Sequence, residues 1–170
     1  IREISKPVLP EKEISPEVIQ ALLGLSANTS ETIKDIVMQR YQYFSHLIAR
    51  LETIDEAYNK KKRELRVVDY DDLLSFWLKI LTMQEPGEKI SEKILYILVD
   101  EYQDTNRIQA LILYQLARKH RNITVVGDDA QSIYSFRGAT VQNILEFPKI
   151  YPDAKIFHLP TNYRSTADIL

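Results

Sequence analysis

The sequence contains no cysteine, so neither a disulfide nor a thiolate metal site can be built from it, and a reducing compartment, the cytoplasm, is the expectation. Its glycines are Gly24, Gly87, Gly127 and Gly138, and none opens the run of glycines and Lys-Ser/Thr whose backbone N–H groups cradle nucleotide phosphates. No apolar run approaches the roughly 20 residues of a membrane span, and the start lacks the basic-then-apolar order of a signal peptide. Neither sign of charge dominates. With 22 Lys and Arg against 24 Asp and Glu the net charge is -2, which excludes a global basic field and leaves only local contacts for any nucleic acid. Methionine is missing from position 1, and the end, Ser165-Thr166-Ala167-Asp168-Ile169-Leu170, reads as a helix cut after its first turn. The sequence is therefore expected to be part of a longer chain.

What is present is the ordinary mixture of a folded soluble protein, 45% apolar and 27% charged over 170 residues, long enough for one core and a second small one. There are no repeats and no low-complexity tract. Residues 1–66 read as a helical subdomain with an extended lead-in to about Glu13, where Pro7 and Pro10 stand. Ser15-Pro16-Glu17 is a helix start, carrying Val18, Ile19, Leu22 and Leu23, with Gly24 as its end. Thr29 or Ser30 then caps one long amphipathic helix, whose apolar positions run by threes and fours from Ile33 to Tyr58 and which ends in Lys60-Lys61-Lys62-Arg63. Those four cations suit a helix C-terminus. A solvated helix end is favoured for them over a phosphate-contacting patch.

Residues 67–170 read as α/β. Asp69-Tyr70-Asp71-Asp72 opens a helix through Leu81, and Pro86-Gly87 marks its exit. Ile94–Val99 is a continuous apolar strand of the kind covered on both faces. Ile108–Arg118 is a helix, Ile123–Val126 a second buried strand, Val141–Tyr151 a helix, and Lys155–Leu159 a third strand stopped by Pro160. Strands alternating with helices predict a parallel sheet.

In such sheets ligands bind beyond the carboxyl ends of the strands, and the polar residues cluster there. The first strand ends in Asp100-Glu101, the second in Asp128-Asp129-Ala130-Gln131, and the third leads to Asn162-Tyr163-Arg164. A hard cation such as Mg²⁺ takes one or two carboxylates and keeps its waters, which makes Asp100 its ligand. Glu101 beside it can orient and deprotonate an attacking water, and Arg164 can neutralise charge on a transferring phosphoryl group. For Asp104 or Asp129 alone, helix capping is as good a reading.

Four segments resemble, in order, the UvrD/Rep family of superfamily 1 helicases. Asp100-Glu101-Tyr102-Gln103-Asp104-Thr105-Asn106 looks like its second motif, a Walker B element with added glutamate and glutamine. The run from Val126 to Ala139 resembles the third, Asn162-Tyr163-Arg164-Ser165 the fourth, and Val68–Leu74 the segment before the second. The resemblance implies a RecA-like parallel-sheet P-loop NTPase domain, lacking here its Walker A strand, and a parent ATP-dependent helicase translocating 3′ to 5′ in repair or replication. ATP, Mg²⁺, single-stranded DNA and duplex DNA junctions would be its cofactors and partners, with no membrane. By the same resemblance Asp100 holds magnesium, Glu101 the hydrolytic water, Gln131 senses the γ-phosphate and Arg164 contacts it. Tyr163 stacks on adenine, and Gln103 and Asp128 stand on the nucleotide side. Tyr134, Phe136 and Arg137 face single-stranded DNA, where aromatic rings stack on bases; Phe136 stands where relatives often carry Trp. The lone fragment is expected to be catalytically silent. Other readings are a motor part of a helicase-nuclease, a non-catalytic binding paralogue, and a two-metal nuclease built on Asp100, Glu101, Asp104, Asp128 and Asp129.

Overall fold

The structure is a computed structural model that describes residues 1–8, 13–132, 142–163 and 165–166. The lead-in is not wholly extended, since α1 (Arg2–Ser5) forms one turn at its start. Helix α2 (Pro16–Thr29) opens as expected, with the Ser15 side chain accepting from Val18 N–H and proline at the first position. It does not stop at Gly24. The helix continues to Ser30, whose left-handed φ of 60° closes it.

The expected single long helix is three pieces. Thr32, not Thr29 or Ser30, caps α3 (Ile33–Arg40), its hydroxyl accepting from Asp35 N–H. Tyr41 leaves helical geometry at φ -137°, a 3-10 segment spans Gln42–Leu47, and α4 (Ile48–Leu65) follows. The spacing by threes and fours survives the break because the 3-10 turn keeps Leu47, Leu51 and Ile54 on the buried side. Helices α2, α3 and α4 bury Ile19, Leu22, Ile36, Val37, Leu51 and Ile54 in one apolar cluster.

Helix α5 (Tyr70–Thr82) has the full capping box, Asp69 accepting from Asp72 N–H while Asp72 accepts from Asp69 N–H. Pro86-Gly87 is not an exit. Both sit in the first turn of α6 (Gln84–Lys93), where proline loses no helical bond. Gly87 lets this turn lie against the end of α5, since a Cβ there would stand 2.1 Å from Leu81 O. Leu81, Ile108 and Ile112 form a second cluster joining α5, α6 and α7 (Arg107–Ala117).

Strands β1 (Ile97–Val99) and β2 (Ile123–Val125) pair in parallel, Ile97 opposite Ile123 and Val99 opposite Val125, as the alternation of strands and helices predicts. One face of the pair is covered by Tyr102, Leu113 and α8 (Gln142–Ile150), which supplies Ile144 and Phe147. The other face is open among the described residues, with Leu98 82% exposed, so the expectation of two covered faces fails. The third strand also fails. Residues 155–159 carry no strand, and Phe157 and Leu159 lie exposed, because neither edge of the β1–β2 pair bonds to them. The result is a mostly helical α/β chain with a small parallel sheet.

Candidate functional site

Because β1 and β2 run parallel, both chains leave the sheet at the same end. Val126 N–H donates to Val99 O at 2.8 Å and Tyr102 N–H to Val126 O at 2.9 Å, so the ladder continues past the strands and ties the two exit loops together. Asp100 and Glu101 stand on one loop and Asp128 to Gln131 on the other. The turn after β1 is sharp: Glu101 sits at φ 51°, ψ 43°, a left-handed conformation that costs a non-glycine residue about 1 kcal/mol or more. Asp100 Oδ1 accepts from Glu101 N–H at 3.0 Å and steadies it.

The side chains then join the loops. Gln103, 1% exposed, donates from Nε2 to Glu101 Oε2 at 2.7 Å and accepts at Oε1 from Asp128 N–H at 3.0 Å. Asp128 in turn accepts from Ala130 N–H through Oδ1 and from Gln131 Nε2 through Oδ2, the latter at 2.7 Å. Four of the expected residues, Glu101, Gln103, Asp128 and Gln131, thus form one hydrogen-bonded chain, and Asp100 joins it through the Glu101 backbone. Gly127 makes the chain possible, since a Cβ at that position would lie 2.6 Å from Gln103 Oε1 and 2.9 Å from Ile144 Cδ1.

Apart from Gln103 the chain is exposed, open to a ligand from solvent. Its donor set is oxygen alone, and Asp100 keeps Oδ2 free of any described bond, which fits a magnesium ion held by one carboxylate, waters and phosphate. Among the described residues no three His, Asp or Glu converge as a metal cage, so a two-metal nuclease arrangement is not formed there. Tyr163 is 93% exposed and is not drawn into the network. Tyr134, Phe136, Arg137 and Arg164 lie outside the described residues.

Residues 5–152 match the UvrD/REP helicase N-terminal domain. The chain belongs to the UvrD/REP helicase family. It is 36% identical over 163 residues to the ATP-dependent DNA helicase PcrA of Staphylococcus epidermidis and 37% identical over the same length to that of Staphylococcus aureus, covering 95% of this chain and 22% of each relative. This member of the family therefore spans about a fifth of the length of the curated relatives it matches.

Behind the acids the UvrD/REP chain builds a polar ladder whose members Asn28 and Asn143 belong to none of the four segments. Asn28 on α2 donates to Asp71 Oδ1 and accepts from Asn106 Nδ2, and Asn143 on α8 donates to Thr105 O and Asn106 O. The one readable signal was Asn106 followed three residues later by Gln109, a capping box that starts α7. A second missed feature is Lys62, read as part of a solvated helix end. It is 13% exposed and lies 2.9 Å from Asp69 and 2.7 Å from Asp72, locking the end of α4 to the cap of α5. Burial alone would raise the Asp69 carboxyl, but the bonds from Lys62 and Asp72 N–H outweigh it and hold Asp69 below its ordinary value. Burial would lower the Lys62 ammonium, and the two carboxylates more than reverse that. A cleft of about 1160 Å³ lies elsewhere among the described residues, between the ends of α2 and α3 and the helices α7 and α8, and includes none of the acid chain.

Proposed function

We propose that this chain is part of the first motor domain of an ATP-dependent DNA helicase that moves 3′ to 5′ and unwinds duplex DNA in repair or replication. The parallel β1–β2 pair then belongs to a RecA-like sheet, and residues 1–66 form a helical subdomain beside it. The observation that carries the reading is the junction of the two exit loops, where Glu101, Gln103, Asp128 and Gln131 are bonded into one unit at the carboxyl end of a parallel sheet.

In this reading Asp100 holds a magnesium ion, which supplies charge neutralisation on the phosphates when bound. Glu101 orients the attacking water and takes its proton. Gln131 offers an amide, both donor and acceptor, to the γ-phosphate. Arg164 completes the neutralisation, Tyr163 stacks on adenine, and Tyr134, Phe136 and Arg137 meet single-stranded DNA. With no phosphate-cradling loop among its 170 residues, the segment by itself turns over ATP negligibly.

Duplexes with 3′ or 5′ single-stranded tails, given to the full-length protein with ATP and Mg²⁺, test the proposal. Unwinding of the 3′-tailed substrate alone is the expected result, and unwinding of the 5′-tailed substrate alone contradicts the direction. Absence of any ATP-dependent unwinding contradicts the motor reading.

A further inference from the structure

Gln103 stands in the middle of the acid chain yet differs from its neighbours in burial, at 1% exposed where Glu101, Asp128 and Gln131 face solvent. The orientation of its amide is dictated by its partners. A backbone N–H can only donate, so the atom facing Asp128 N is Oε1; a carboxylate can only accept, so the atom facing Glu101 is Nε2. Hydrophobic neighbours Tyr102, Ile144 and Phe147 pack around this part of the sheet, and Gly127 has no side chain because Gln103 Oε1 occupies that space. The Ser132 hydroxyl, just past Gln131, reaches Gln103 O at 3.4 Å. Three points of the second loop are therefore keyed to one residue of the first.

We propose that Gln103 is a positioning residue rather than a nucleotide ligand: it fixes the Glu101 carboxylate and ties it to the backbone carrying Asp128 and Gln131, so the two loops shift as one unit. Glu101, held at a left-handed φ of 51°, has its backbone fixed by Asp100, and Gln103 fixes its free end. A ligand group that pulls on the Gln131 side moves Asp128, whose N–H moves Gln103, which moves the Glu101 carboxylate. The hydrogen-bond relay stands on the geometry alone; its catalytic consequence rests on the ATP-hydrolysing reading above.

The test has two arms, so that failure of one reading is told from failure of the other. In the full-length protein, selectively ¹⁵N-labelled at Asp and Gln, NMR follows hydrogen exchange of Asp128 N–H and the side-chain amide of Gln103. Gln103→Met should speed Asp128 exchange about tenfold or more, and Glu101→Ala should shift the Gln103 amide resonances. The double variant Glu101→Gln with Gln103→Glu exchanges donor and acceptor and should restore thermal stability lost in Gln103→Glu, which guards against a variant that merely misfolds. In the full-length protein, Gln103→Met should lower kcat about a hundredfold, the scale of a misplaced catalytic group, with KM for ATP within about threefold. Unchanged Asp128 exchange, an unshifted amide, or no rescue by the exchanged pair overturns the relay. A raised KM with kcat intact overturns the positioning role in favour of direct nucleotide contact. If the wild-type full-length protein hydrolyses no ATP, the motor reading falls and the NMR arm alone decides the relay.

Discussion

Asn106 reaches across 78 positions to Asn28, its Nδ2 donating to Asn28 Oδ1 at 2.7 Å. This bond joins the last residue of the acidic motif to the helical part of the chain. Asn28 passes the connection on to Asp71 at the start of α5. The site loop is thereby held from behind by a helix whose sequence carries no catalytic motif at all.

Asn28→Ala leaves the buried Asn106 amide without that acceptor and should destabilise the chain by about 1–3 kcal/mol. Asn106→Ala should cost about 1 kcal/mol more, because it also removes the α7 cap. Urea denaturation of the two single variants and the double measures the coupling; strictly additive losses would show that the bond contributes nothing.

The Lys62 latch predicts a pH dependence whose sign follows from Asp69. Its carboxyl is held below the ordinary 3.8, so its contribution is present above 3.8 and is lost as pH falls through the lowered value. Lys62 is held above 10.5, so its share is present below that pH and is lost as pH rises through the raised value. Tyr58, pushed up first by burial and then by the Asp69 charge, fades in the same alkaline direction. Asp55, raised mainly by burial, opposes the acid limb, so the informative quantity is the difference between wild type and Asp69→Asn. That gap should be about 1 kcal/mol near neutral pH and should close in acid. A gap that is constant from pH 7 to strong acid contradicts the latch.

Gly87→Ala should destabilise by about 3 kcal/mol. The added methyl would meet Leu81 O at 2.1 Å and Arg118 Nη2 at 2.8 Å, so α6 must lift from α5. Thermal melting reads the loss. A change within a few tenths of a kcal/mol would mean that the two helices are not so closely seated.

Gly127→Ala should disturb the acid chain with a smaller loss of stability, because the residue lies on an exposed loop and the clash is with Gln103 Oε1. The expected signature is faster hydrogen exchange at Asp128 N–H. Unaltered exchange would show that Gln103 accommodates the methyl without releasing its bond.

Much of this architecture was legible where a single residue's chemistry suffices. Ser15-Pro16 and the acidic run from Asp69 to Asp72 are local start signals, and each starts a helix. Asp100-Glu101 at the end of an apolar run pointed to the candidate site for the same reason: acid after a strand has few structural uses. What escaped depends on how one element packs against another. Lys62 looks like its three cationic neighbours until α5 brings Asp69 and Asp72 beside it. Gly87 looks like a helix stop until Leu81 O lies against it. Lys155–Leu159 has strand composition but finds no strand to pair with among the described residues. Periodicity could not show the break at Tyr41, because a 3-10 turn keeps the same apolar spacing.

DNA-stimulated ATPase activity of the full-length protein, wild type beside Glu101→Gln, decides whether Glu101 orients the water that attacks ATP, as proposed. Turnover should fall by about a hundredfold or more while nucleotide binding survives, since the amide keeps the shape of the carboxylate but cannot take a proton. Full turnover in Glu101→Gln would contradict that role.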